Sequence, residues 1–120
     1  MLQVSPRTKI FVSLSPTDMR RGFNGLSAEV TQILKEDPHS GHLFLFRNRR
    51  RDRLKVLLWD NDGWVIYYKR LERGTFEFPQ PKGGDGNKVE IRASELSMIL
   101  DGIRLEGRLR RPRYNHESES

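Results

Sequence analysis

His42-Leu-Phe-Leu-Phe-Arg-Asn-Arg-Arg-Arg-Asp-Arg-Leu-Lys-Val-Leu-Leu-Trp59 decides how this chain folds. Two apolar arms, His42 to Phe46 and Leu54 to Trp59, flank a run in which Arg47, Arg49, Arg50, Arg51, Arg53 and Lys55 are basic and only Asp52 opposes them. Apolar arms around a charged, polar centre predict a β-hairpin with a cationic tip. A planar guanidinium pairs two oxygens at once, so such a tip suits phosphate. The bland alternative is a solvated turn whose charges keep a sheet edge from aggregating.

Outward from the hairpin, Asn61-Asp-Gly63 carries turn chemistry, and Trp64 to Leu71 reads as a third strand of a meander. Leu54, Val56 and Leu58 lie on one face of the middle strand and Leu57 and Trp59 on the other. That strand is therefore expected to be central, with both faces covered. Thr8 to Ser13 alternates weakly and reads as a first strand. Ser15-Pro-Thr-Asp18 then supplies turn residues and a helix N-cap, Thr17 or Asp18. Phe23, Leu26, Val30, Ile33 and Leu34 form one stripe of a long amphipathic helix that Asp37-Pro38 ends. Gly22 and Gly25 weaken its first turn or admit a close neighbour. Thr75 to Phe78 and Lys88 to Ile91 read as short strands. Leu96, Ile99, Leu100 and Ile103 predict a short helix with Gly102 at its C-terminal cap.

The 120 residues fit one domain able to bury its own core. The spacing of elements predicts an α+β fold over residues 1–104. Its curved, mainly antiparallel sheet would have one long helix after the first strand and a short helix near the end. Residues 105–120 read as a flexible basic tail bearing Arg108, Arg110, Arg111 and Arg113. The chain has no cysteine, which excludes disulfides and thiolate metal sites. No segment has the apolar length of a membrane span or signal peptide, so a cytoplasmic protein without membrane contact is expected.

The net charge is +6 and 16 of the 22 basic residues are arginine, a bias that phosphate or base contacts would favour. Thr17-Asp-Met-Arg-Arg-Gly22 adds Arg20 and Arg21 at a predicted helix start, where the dipole disfavours cations. Either an anion or an intramolecular carboxylate is expected beside them. His39 and His42, without further ligands, are a weak metal signal. Asp18, Asp37, Asp52, Asp60, Asp62 and Glu72 have no diagnostic two-metal spacing. Gly83-Gly84 lacks the Lys and Ser/Thr of a phosphate loop. Trp59, Trp64, Tyr67, Tyr68, Phe76 and Phe78 could stack bases, but packing within the sheet is the commoner use.

Thr17-Asp-Met-Arg-Arg-Gly-Phe-Asn-Gly-Leu26, Asp37-Pro-His-Ser-Gly-His-Leu-Phe-Leu-Phe-Arg-Asn-Arg-Arg50, Lys55-Val-Leu-Leu-Trp59 and Lys69-Arg-Leu-Glu-Arg-Gly74 occur in order. Together they resemble the TnpB accessory proteins of the IS sixty-six class of bacterial insertion sequences, over about Thr8 to Ile103. These are distinct from the longer RNA-guided nucleases of the same name. The chain departs from the family at Arg92, where Ser or Thr usually opens the last helix, and in a tail without Trp. The resemblance implies a non-catalytic protein, with no cofactor or metal, that assists transposition beside a separate transposase and a further accessory protein. DNA at the element ends or target is the expected partner, contacted by Arg47, Arg49, Arg50, Arg51, Arg53 and Lys55. Arg20, Arg21 and the four tail arginines would add to it. The alternative is an adaptor that docks on the transposase without touching DNA.

Overall fold

The computed structural model describes residues 5–78 and 86–102. β2 (Leu43–Arg47), β3 (Arg53–Asp60) and β4 (Gly63–Arg70) form the expected antiparallel meander. β1 (Ile10–Ser13) and β5 (Lys88–Ile91) complete a five-stranded sheet in the order β4-β3-β2-β1-β5. β3 is interior, as its two apolar faces required.

The sheet is mixed, which corrects the mainly antiparallel expectation: β1 runs parallel to β2 and antiparallel to β5. The chain leaves β1, crosses one face as a helix and returns alongside it, and a parallel neighbour needs such a crossover. β1 alternates weakly because both its faces are covered; all four of its residues are buried.

Each face has its own core. On one, α1 (Phe23–Glu29) and the turn after it set Leu26, Val30 and Leu34 against Phe11, Phe44, Phe46 and Leu57. On the other, Leu96 and Ile99 of α2 (Ala93–Asp101) close over Ile10, Val12, Leu45, Leu54 and Val56.

The one long helix is not found. Seven residues of α1 give way to a five-residue π-helical turn, Val30–Leu34. The Val30 carbonyl accepts from both Lys35 and Glu36, and Lys35 ends the turn in the left-handed region at φ 58°. The wider turn retains Leu34 in the core and leaves Ile33 exposed, together with Phe23 at the other end of the predicted stripe. The N-cap is Gly22, not Thr17 or Asp18. Gly25 has the close neighbour: a Cβ there would stand 3.0 Å from Arg21 Cβ.

Thr75 to Phe78 forms no strand. The Phe76 amide donates to the Arg51 carbonyl at 2.7 Å, which carries the aromatic ring into the core with no exposed surface. α2 ends as predicted, with Gly102 at φ 81°. At its start Arg92 has no side-chain acceptor. Half of a capping box remains, with the Glu95 carboxylate accepting from the Arg92 amide at 2.8 Å.

Candidate nucleic-acid interface

The β2–β3 ladder runs to Arg47↔Leu54, so the loop Asn48–Asp52 stands beyond the end of the sheet. Asn48 builds it. Its Oδ1 accepts from the Asp52 and Arg53 amides at 3.1 and 3.0 Å, and its Nδ2 donates to the Asp52 carboxylate at 2.6 Å. The Arg51 amide donates to the Asn48 carbonyl, and Arg51 turns through the left-handed region at φ 64°. The only acid in the basic run is thereby occupied by an amide and not by an arginine.

Arg49, Arg50 and Arg51 are exposed, and among the described residues none pairs with a carboxylate. Arg53 is half-buried; its Nη1 donates to the Tyr68 hydroxyl at 3.3 Å. These four guanidiniums form the accessible prong.

Two of the sequence candidates point inward. Arg47 donates to the Leu14 carbonyl at 3.0 Å and lies 5.9 Å from the Phe78 ring centre. Burial lowers its pKa, and the charges of Arg51 and Arg49 lower it further. It clamps the base of the loop. Lys55 is 8% exposed. Its Nζ donates to the Met19 and Arg21 carbonyls, both at 2.8 Å, and sits 4.7 Å above the Tyr68 ring. Two of its three hydrogens are spent on these carbonyls, and the Tyr68 ring face stabilises the buried charge. Lys55, expected among the contact residues, is placed as a tie between the hairpin and the 17–21 loop.

The tie brings a second candidate segment to the first. The Thr17 amide also donates to the Arg47 carbonyl at 2.7 Å. Between the loops lies an open cleft of about 400 Å³, walled by Asp18, Met19 and Arg20 on one side and Asn48, Arg50 and Arg53 on the other. The cations expected at a helix start find carboxylates within the protein. Asp18 takes Arg20 in a bidentate pair, 3.1 Å from Nε and 2.8 Å from Nη2, and also accepts from the Arg20 amide. Those hydrogen bonds hold the Asp18 carboxyl down at a pKa of about 2. Arg21 Nη1 approaches Glu29 at 3.9 Å, and Thr17 donates to the other Glu29 oxygen at 2.8 Å. Arg20 and Arg21 are therefore partly neutralised before any ligand arrives.

Sequence reading did not place Arg70 at the site, and it took Tyr68 for sheet packing or base stacking. The β3–β4 register sets Arg53 opposite Arg70 and Lys55 opposite Tyr68. Like charges directly across a ladder oppose each other, and Arg70 is eased by Glu72 at 3.4 Å. Counting back from the Asn61-Asp62 turn would have found both positions. Arg108, Arg110, Arg111 and Arg113 lie outside the described residues. His39 packs against Trp59 and Trp64 at 4.8 and 4.9 Å, and His42 accepts from the Lys9 amide, so neither faces a common ligand. Among the described residues no three His, Asp or Glu side chains converge as a metal site, and no helix is long and apolar enough to cross a membrane.

The chain resembles two curated proteins of Sinorhizobium fredii, both named as uncharacterized. It is 39% identical to y4jC over 103 residues, covering 86% of each chain. It is 38% identical to y4hO over 103 residues, covering 86% of this chain and 87% of that one. No solved structure matches it. The family model for IS66 Orf2-like proteins matches residues 8–110, which span both helices, all five strands and the arginine loop. By that match the chain belongs to the IS66 Orf2-like family.

Proposed function

We propose that this protein is a non-catalytic accessory factor for transposition of an insertion sequence, and that it grips the DNA backbone with its hairpin tip. Family membership supports the accessory role. The observation that carries DNA contact is electrostatic: Arg49, Arg50 and Arg51 stand exposed on a braced loop with no carboxylate of their own among the described residues. Unpaired guanidiniums held beyond the end of a sheet offer the charge that a phosphate backbone attracts, without reading base edges. The tail arginines Arg108, Arg110, Arg111 and Arg113 would add a second, sequence-independent contact.

The test is the salt dependence of binding to element-end and random duplexes. Four tip arginines predict a slope of log K against log salt of about −3.6, at about −0.9 per phosphate. The full chain should be steeper than a chain ending at residue 104. Binding absent at low salt, or a slope near zero, refutes the reading.

An adaptor role has its own support. Val65 and Tyr68 are exposed large hydrophobics on opposite faces of one edge strand, an apolar edge that suits protein better than phosphate. Capture of the transposase in the presence of nuclease, without any DNA shift at low salt, would favour it.

A further inference from the structure

The longest strand edge in the molecule is unpaired among the described residues. β4 closes one side of the sheet over eight residues. It carries no proline, no cis bond and, from Gly63 to Tyr68, no charge. Natural edges are usually shortened or charged to prevent strand addition. Here the charges sit only at the two ends, Asp62 on one side and Lys69 and Arg70 on the other.

We propose that β4 pairs with β4 of a second copy of this chain, antiparallel, about a two-fold axis through Ile66. The register follows from hydrogen bonding. Asp60↔Gly63 closes a two-residue connection, and such a closing pair is hydrogen-bonded, as is every second pair beyond it. Gly63, Val65, Tyr67 and Lys69 then spend their backbone groups on β3. Trp64, Ile66, Tyr68 and Arg70 turn theirs to the open side, and only these can hydrogen-bond across a two-fold axis.

Among the registers this allows, the axis at Ile66 satisfies the side chains best. Tyr68 meets the partner's Trp64, and Val65 meets the partner's Tyr67. Both exposed hydrophobics of β4 thus gain an aromatic neighbour. Arg70 meets the partner's Asp62, a carboxylate with no ion pair among the described residues. By symmetry every contact occurs twice. An axis at Val65 would set Tyr68 against the partner's Asp62. An axis at Tyr67 would set Val65 against the partner's Lys69 and Asp62 against the partner's Glu72. The favoured register adds about six backbone hydrogen bonds and makes one sheet of two.

The functional consequence rests on the reading of the tip as the DNA contact. Ile66 lies opposite Leu57, and the tip begins about six residues further along the hairpin, or about 20 Å at about 3.3 Å per residue. The two tips of the dimer therefore face opposite directions and hold two separate duplex segments.

Sedimentation equilibrium of the full chain without DNA, from micromolar to sub-millimolar concentration, tests the pairing. The mass should rise from 14.1 kDa toward twice that value. Asp62→Arg or Arg70→Asp alone should weaken association about tenfold or more by placing like charges across the axis, and the double exchange should restore it. Both sites are exposed, so the fold is not at risk. A single 14.1 kDa species throughout, or single exchanges without effect, overturns the proposal. The readout is separate from that of the tip, because a chain with Arg49, Arg50 and Arg51 replaced by alanine should still dimerise. Capture of a labelled duplex on an immobilised one then reports bridging. A dimer that binds duplex but captures no second one overturns that consequence.

Discussion

Replacing Arg49, Arg50 and Arg51 by alanine together should flatten the salt dependence of DNA binding while leaving the fold intact. The three side chains are exposed and make no ion pair among the described residues, and the loop is shaped by the Asn48 side chain and backbone groups. Exposed substitutions of this kind usually move stability by no more than about 0.5 kcal/mol each. Removing Arg49 and Arg51 also lifts two like charges from Arg47, whose pKa they depress. The binding effect is larger. With four phosphates engaged, raising salt fourfold should weaken wild-type binding about 150-fold, at about −0.9 per phosphate. With only Arg53 left the loss should be about 3.5-fold over the same range. Fluorescence anisotropy on a labelled duplex across a salt series reads both slopes, with a thermal melt as the control for folding. An unchanged slope in a folded triple variant would refute the tip as the contact. A collapsed melt would show that the arginines hold the loop.

Lys55→Met should cost about 1–3 kcal/mol, because it strands the Met19 and Arg21 carbonyls. Amide exchange should quicken across residues 17–22, and a variant as stable as wild type would show that the tie is idle. Phe76→Ala should cost about 3–5 kcal/mol in chemical denaturation despite lying outside any strand, because its ring is fully buried. Arg51→Gly should be neutral to about 1.5 kcal/mol stabilising: relief of the left-handed backbone, about 1–2 kcal/mol, is offset by about 0.5–1 kcal/mol of glycine entropy. A loss of stability would mean that the arginine side chain is structural. Asp18 should titrate at about 2 by carboxyl NMR. Its pairing with Arg20 stabilises at neutral pH, and that contribution fades as pH falls from about 4 toward about 2. A midpoint near 4 would dissolve the bidentate pair.

The hairpin was legible because its signals are local: two apolar arms, one polar centre and a turn pair set strand, loop and centrality together. The crossover was less so. β1 has only four residues, and the parallel partner it meets at Leu43 lies more than thirty positions away. Burial on both faces erased the alternation that would have marked it. The helix was misjudged because Phe23 and Ile33 fit a 3.6-residue stripe that the π-helical turn disrupts. At the site, charge counting found the prong but could not separate its members. Lys55 and Arg47 differ from Arg50 only in direction, which depends on long-range carbonyls at Met19, Arg21 and Leu14. Phe76 looked like a strand residue because its apolar neighbours alternate, whereas its role is to plug the core from a loop.

The Asn48 turn separates two duties that most binding loops mix. One amide side chain sets the curvature, and the outward guanidiniums take no part in that task. Such a loop can exchange the charged side chains at positions 49 and 50 for others without renegotiating its own architecture. On the proposed role, related chains could retune their grip on DNA at Arg49 and Arg50, while position 51 stays limited to residues that accept its left-handed backbone.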